Sequence, residues 1–255
     1  MSDGQATIEF RDVSFALPDG RKLLAKLNLQ VKKGETLVLL GRSGSGKTTT
    51  MKLINRLIDP TSGEVRIDDK PTVDWNPIRL RRRVGYVIQE VGLFPHLTVE
   101  ENVGVVPRLE GWEAGRIQGR ARELLTMVGL DPDRFAARLP RELSGGQRQR
   151  VGVARALAAD PPVILLDEPF GALDPITRRE LQQEFKNLQQ ELHKTMVFVT
   201  HDIAEAFLLG TRIALLKDGE MVLLGPPEDL LGSNHPEARA FALCFHDSQR
   251  ARSPT

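Results

Sequence analysis

A chain of 255 residues, 40% of them hydrophobic, can bury a sizeable core in one large domain or in a domain with an embedded subdomain, and needs no disulfide to do so. Thirty-five basic residues against thirty-four acidic ones leave a formal charge of +1, which removes any general electrostatic reason to bind nucleic acid. The single cysteine, Cys244, excludes an internal disulfide and fits a reducing compartment, no apolar run approaches the roughly 20 residues of a membrane span, and Met1 to Gln5 lack a signal-peptide profile, so the chain is not expected to cross a bilayer by itself.

In chain order, apolar and polar residues alternate over 8–15 and again at Leu27, Leu29 and Val31, which predicts two antiparallel strands about a turn at Pro18-Asp19-Gly20. Residues 36–40 read as a short buried strand feeding a glycine-rich loop, and a helix is expected over 48–58, stopped by Asp59-Pro60. Val65 and Ile67 suggest another strand, and 84–88 a further one that delivers Gln89 at its end. Beyond it the texture turns helical. Thr98-Val99-Glu100-Glu101 is a capping-box pattern, and helices are expected over 113–128 and 145–159.

Residues 163–166 are apolar on both faces, as in a buried parallel strand, and Asp174-Pro175 opens a helix to about His193. Another buried strand over 195–200 ends at His201, and 203–209 is helical. Asp218-Gly219 between 213–216 and 221–224 marks a hairpin. Pro226-Pro227 ends the core, a short helical tail follows, and 249–255 are expected to lack order. No internal repeat is present.

The chemistry concentrates in a few places. Gly41-Arg42-Ser43-Gly44-Ser45-Gly46-Lys47-Thr48 matches G-x-x-x-x-G-K-[ST] completely. Holding a triphosphate takes backbone N–H groups converging at a helix N-terminus plus one mobile cation. Gly41, Gly44 and Gly46 let the backbone come close, Lys47 reaches the outer phosphates, and the Thr48 hydroxyl can ligate Mg²⁺. The bland alternative is a glycine turn without a ligand; the strand before the loop and the helix after it argue against that.

Asp167 and Glu168 end a buried strand and point to opposite sides of it. Asp167 suits Mg²⁺ through water, and Glu168 suits orienting and deprotonating the water that attacks a γ-phosphate. The alternative is an acidic pair capping the turn before Pro169. His201 could donate to the γ-phosphate or position that water, and Gln89 could contact Mg²⁺ and the water from a third strand end. Leu143-Ser144-Gly145-Gly146-Gln147 then supplies a second phosphate-binding turn, although one nucleotide has only one terminal phosphate.

These motifs, together with Leu173-Asp174, stand in the order of the ATP-binding cassette family, and the chain resembles that family to about Gly225. The resemblance implies an α/β fold: a P-loop NTPase core, mainly parallel sheet with helices, plus an N-terminal antiparallel β region, both from residues 1–90 and 160–225. An inserted α-helical subdomain would span 91–159, and 226–255 would be a short helical tail without a separate regulatory domain. ATP and Mg²⁺ are the implied ligands. Gly41, Arg42, Ser43, Gly44, Ser45, Gly46, Lys47, Thr48 and Thr49 would hold the nucleotide from one side, and Ser144, Gly145, Gly146, Gln147 and Asp174 of a second copy from the other. Thr48, Gln89 and Asp167 would serve the metal, and Glu168, His201 and Gln89 the hydrolysis.

The same resemblance implies a head-to-tail homodimer around two ATP molecules, integral-membrane permease subunits on separate chains, an extracytoplasmic solute-binding protein and no nucleic acid. The chain would be cytoplasmic, peripheral on the inner face of the membrane. Gly85-Tyr86-Val87-Ile88-Gln89-Glu90-Val91-Gly92-Leu93-Phe94-Pro95-His96 is similar to subunits that serve uptake of osmoprotectants such as glycine betaine and choline. One departure is Leu17 where the family usually stacks an aromatic on adenine, with Phe15 two residues earlier; no adenine-stacking residue is assigned.

Two other readings compete. A soluble ATPase of the same superfamily acting on DNA or ribosomes would carry long coiled coils, zinc modules or two cassettes in one chain, and the lone basic cluster Arg79-Leu80-Arg81-Arg82-Arg83 reads as a solvated helix end. A noncatalytic nucleotide-binding regulator would lack the base, and Glu168 is there.

Overall fold

The alternation at the start of the chain becomes β1 (Ala6–Ala16) and β2 (Lys22–Lys32), paired antiparallel in a computed structural model that describes residues 6–250. Ile8, Phe10 and Val13 face inward opposite Val31, Leu29 and Leu27. The register slips between Phe10 and Val13, where Asp12 takes a positive φ of 48° and its amide donates to Asn28 Oδ1 at 2.9 Å, the signature of a bulge.

β3 (Thr36–Leu40) is buried throughout and runs into the glycine loop, and α1 (Lys47–Ile54) follows. This helix stops four residues short of the expected Ile58. Arg56 adopts a left-handed φ of 52°, the Leu57 amide folds back to the Lys52 carbonyl at 2.8 Å, and the Arg56 guanidinium donates to the carbonyls of Val73 and Trp75 at 3.1 and 2.9 Å. Those long-range bonds end the helix before Asp59-Pro60 can.

β4 (Ser62–Ile67), β5 (Lys70–Pro71), α2 (Pro77–Arg82) and β6 (Val84–Val87) come next, the last shorter by one residue than expected. The basic cluster lies on and just after α2, whose Leu80 is fully buried. Then come α3 (Val99–Val103), α4 (Val105–Leu109), α5 (Ala114–Met127), α6 (Pro132–Phe135) and α7 (Gly145–Leu157). Thr98 caps α3 as its pattern predicts: the Glu101 amide donates to its hydroxyl at 3.2 Å and its own amide donates to Glu101 Oε2 at 2.8 Å. Thr98→Ala is therefore expected to lower unfolding stability by about 1 kcal/mol, read by denaturant titration; an unchanged midpoint would show that the tertiary packing of α3 makes the cap redundant.

β7 (Val163–Asp167) is buried end to end, α8 (Pro175–Leu192) starts at Asp174, and β8 (Thr195–Thr200) is again fully buried. α9 (Ile203–Leu209), β9 (Arg212–Lys217), β10 (Glu220–Gly225), α10 (Pro227–Gly232) and α11 (Pro236–Arg250) complete the chain. Asp218 and Gly219, both at positive φ, close the β9–β10 hairpin. Helix continues through Gln249 and Arg250, the first two of the residues 249–255 expected to lack order; residues 251–255, like 1–5, lie outside the described residues.

Two units result: residues up to Leu80 with those from Thr195 onward, and Arg81–Lys194. In the first, an antiparallel sheet has the order β2-β1-β4-β5, and a second set of strands runs β10-β9-β3-β8, with β3 parallel to both of its neighbours. In the second unit, β6 and β7 pair in parallel and α3 to α8 make up the helical part. Among the described residues no helix is long and apolar enough to cross a membrane.

Candidate functional site

In the first unit, the pairing of Leu40 with Thr200 brings the ends of β3 and β8 to one sheet edge, so the loop from Gly41 and the turn at His201 emerge side by side. A Cβ on Gly41 would lie 2.3 Å from the Leu216 carbonyl oxygen, and one on Gly46, at φ 102°, would lie 2.7 Å from Leu24 Cδ2. Only glycine fits there. The Lys47 ammonium is folded into the loop, donating to the carbonyls of Gly41 at 2.7 Å and Arg42 at 2.9 Å. Gly46 offers α1 no capping side chain, which leaves the first-turn amides for an anion, and Thr48 is exposed just beyond it.

His201 is exposed, and its turn is held from below. Thr200 Oγ1 donates to the buried carboxylate of Glu205 and accepts from the Asp202 amide at 2.9 Å, while Asp202 caps α9 through the Ala204 amide at 2.7 Å.

In the second unit, Val87 pairs with Leu166, which puts the ends of β6 and β7 at a common edge. Asp167 is buried there, and Glu168 is half-buried in a left-handed conformation at φ 44°. A non-glycine residue held at such a φ stores strain of the kind that collects at functional positions. Gln89, exposed, donates through Nε2 to Glu168 Oε2 at 3.5 Å, and Tyr86 OH donates to Asp167 Oδ2 at 3.4 Å. Burial pushes the Tyr86 phenol above its usual range and the neighbouring Asp167 charge pushes it further, so it stays a proton donor to that carboxylate.

The Ser144 turn is the N-terminus of α7. Its hydroxyl accepts from the Gln147 amide at 3.2 Å and its amide donates to Gln147 Oε1 at 2.9 Å, a capping box that leaves Ser144 and Gly145 exposed. Gly146 is the close-packed member: a Cβ would lie 2.7 Å from Thr177 Cγ2, so the start of α7 rests on the start of α8, beside Asp174. Asp174 caps α8, accepting from the amides of Ile176 and Thr177 at 3.1 Å each, and hydrogen bonds led by that of the Thr177 side chain hold its carboxyl below the usual range. Further along α7, Arg155 donates to the carbonyls of Val91 at 2.6 Å and Gly92 at 2.8 Å. One helix thus carries the Ser144 turn and clamps the loop that follows Gln89.

A family model described as ABC transporter matches residues 24–171, more than half of the chain and the stretch that holds the glycine loop, Gln89, the Ser144 turn and Asp167-Glu168. The chain belongs to the ABC transporter family. Over 224 residues, 88% of this chain and 58% of the relative, it is 54% identical to the choline transport ATP-binding protein OpuBA of Bacillus subtilis. It is also 54% identical to the osmoprotectant import ATP-binding protein OsmV of Salmonella typhimurium over 82% of this chain and 55% of that protein. The chain therefore spans a little over half the length of these curated relatives. Among solved structures, MJ0796 in a dimeric post-hydrolysis state bound to ADP and Pi matches with a TM-score of 0.77 and 40% identity, covering 86% of this chain and 98% of that one. CbiO1 of Clostridium perfringens, part of an ABC transporter complex, matches with a TM-score of 0.81 and 27% identity over 94% and 99%. The α/β fold expected of an ABC ATPase cassette is the one observed.

Several contributors at these ABC family motifs escaped the sequence. Tyr86 lies one position before the end of β6, and only the β6–β7 pairing brings its hydroxyl to Asp167. Glu205 carried a usable signal, a carboxylate on the inward face of a short helix directly after His201. At the departure from the family pattern, Phe15 is half-buried opposite Leu24 and the Leu17 amide donates to the Arg21 carbonyl in the turn.

Proposed function

We propose that this chain is the ATP-hydrolysing, nucleotide-binding subunit of an ABC importer that energises uptake of a small osmoprotectant, a quaternary amine of the choline or betaine kind. The observation that carries it is the glycine loop with the Lys47 ammonium already seated on its carbonyls, in a chain 54% identical to a choline transport ATP-binding protein. The loop residues 41–49 are the nucleotide cradle: amides converge on the phosphates, Lys47 meets the outer ones, and the buried Ser45 hydroxyl, which has no partner among the described residues, is a polar group the loop leaves unsatisfied.

The donor set suits Mg²⁺. Thr48 and Asp167 are hard oxygen ligands, with Gln89 as a further one, and an ion that prefers few protein carboxylates plus phosphate oxygens needs no larger cage; when bound, it would neutralise charge on the outer phosphates. Glu168 is the general base. Its carboxylate, oriented by Gln89, takes the proton of the attacking water as the bond between the γ-phosphorus and its bridging oxygen breaks and ADP leaves with that electron pair. His201, on a turn braced by Thr200 and Glu205, orients that water or the γ-phosphate.

The Ser144 turn and Asp174 act in a head-to-tail dimer, toward nucleotide held by a second copy; the dimeric, ADP- and Pi-bound state of MJ0796 supports this. Permease subunits on separate chains would dock on the helical subdomain, taken as residues 91–159, and exposed Phe94 and Leu109, with Ile88 just before it, offer apolar surface for that purpose. An extracytoplasmic solute-binding protein completes the system, and the chain sits on the inner face of the membrane.

Purification of the tagged chain from detergent-solubilised membranes tests the reading: retention of an integral membrane protein together with phosphate release from Mg-ATP supports it. Retention of ribosomes or nucleic acid, or absence of phosphate release, overturns it. Ser144→Arg tests the site in trans. ATP affinity of the isolated chain is expected to stay unchanged while hydrolysis falls by at least about tenfold. Ser144→Ala controls for the lost cap, and full turnover by the arginine variant would reject the trans role.

A further inference from the structure

Arg42, the second residue of the glycine loop, reaches out of it. Its Nε donates to Glu237 Oε1 at 2.6 Å, a contact that joins residues 195 positions apart. The two ends differ in setting: the Arg42 side chain keeps 71% of its surface exposed, that of Glu237 only 9%. An ion pair between two solvated side chains contributes little, but a nearly buried carboxylate that loses its cation has no water to turn to.

Glu237 is itself well fixed. It sits in the first turn of α11, where a negative charge is favoured; its amide donates to His235 Nδ1 at 3.2 Å, and the His235 carbonyl accepts from the Arg239 amide at 3.0 Å. Ala238 is fully buried, and the Phe245 ring stacks on Phe207 of α9 with centroids 4.4 Å apart. On the other side, the Arg42 carbonyl is one of the two that seat the Lys47 ammonium. Carboxylate, guanidinium, loop carbonyl and ammonium form an unbroken line from α11 to the phosphate lysine.

We propose that Glu237 is a positioning residue of the nucleotide loop: by holding the Arg42 side chain it fixes the carbonyl that seats Lys47, and so links the pose of α11 to nucleotide affinity. The proposal rests on the nucleotide-binding reading above. Glu237 touches no reacting atom, so its effect belongs in binding and not in the chemical step.

The test is a double-mutant cycle on the full chain, with a fluorescent ATP analogue for Kd, steady-state hydrolysis for KM and kcat, and hydrogen exchange of the loop amides without nucleotide. Glu237→Gln is expected to weaken Kd and raise KM about fivefold, with kcat within about twofold of the parent. Amides of residues 41–46 should exchange faster, while the unfolding midpoint stays near the parent value. Arg42→Ala should also weaken Kd, and the double variant should bind no worse than the weaker single. Arg42→Lys should retain part of the affinity, because a point charge still reaches the carboxylate.

Unchanged Kd and exchange in Glu237→Gln, additive losses in the cycle, or kcat falling in step with the unfolding midpoint would each overturn the proposal. The two readings fail differently. A parent chain that binds no ATP overturns the function proposed above and this inference with it, whereas a parent that binds ATP beside a Glu237→Gln variant of equal affinity overturns only the role of Glu237.

Discussion

Lys47→Ala is expected to weaken ATP binding by more than about a hundredfold and to remove hydrolysis with it. The ammonium is the one cation that the loop turns inward, held by the carbonyls of Gly41 and Arg42 at 2.7 and 2.9 Å, so it is in place before any phosphate arrives. A charge-assisted contact to an anion contributes roughly 1.5–3 kcal/mol, and an ammonium facing two phosphate oxygens makes more than one. Truncation also leaves the carbonyls of Gly41 and Arg42 without their ammonium donor, which loosens the loop. Both effects have the same sign. Lys47→Arg should restore little, since a planar fork does not fit a cradle shaped for a point charge. Calorimetric titration with ATP reads the loss, and an affinity within about threefold of the parent would show that backbone amides alone hold the nucleotide.

How much of this could be read beforehand follows from the range of each interaction. The glycine loop was legible because its demands are local: a strand, glycines where Leu216 and Leu24 crowd the backbone, a lysine and a helix in succession. The same holds for the caps at Thr98 and Asp174, whose partners lie within three residues. The end of α1 was misread for the opposite reason. Arg56 answers to carbonyls at Val73 and Trp75, so a helical pattern gave way to a tertiary contact. Arg42–Glu237, Tyr86–Asp167 and Arg155 on Val91 are likewise set by packing across long separations, where no periodicity points from one member to the other. Motifs name the groups that meet a ligand, while the groups that hold them still emerge only from the fold.

Backbone geometry makes Glu168 the most informative position to alter. Its left-handed φ of 44° immediately follows five buried strand residues, and the Gly171 amide returns to its carbonyl at 3.1 Å, so the chain is bent to present this one carboxylate. Glu168→Gln keeps the length, an oxygen for the contact with Gln89 and the backbone, and removes the negative charge together with the capacity to accept a proton. Hydrolysis is therefore expected to fall by about two to four orders of magnitude, the range a positioned base supplies. Binding should move the other way, because a negative charge facing the terminal phosphate is replaced by a neutral amide. If ATP binds the closed dimer more tightly than the open one, blocking its hydrolysis leaves the closed state populated, and the variant should elute as a dimer with ATP and as a monomer without it. Single-turnover hydrolysis alongside size-exclusion chromatography with light scattering reads both effects. Turnover at the parent rate would remove Glu168 from the chemistry and leave the strained turn as a structural feature of the loop after β7. Lost turnover with no ATP-dependent dimer would keep the base but reject a closed state that nucleotide stabilises.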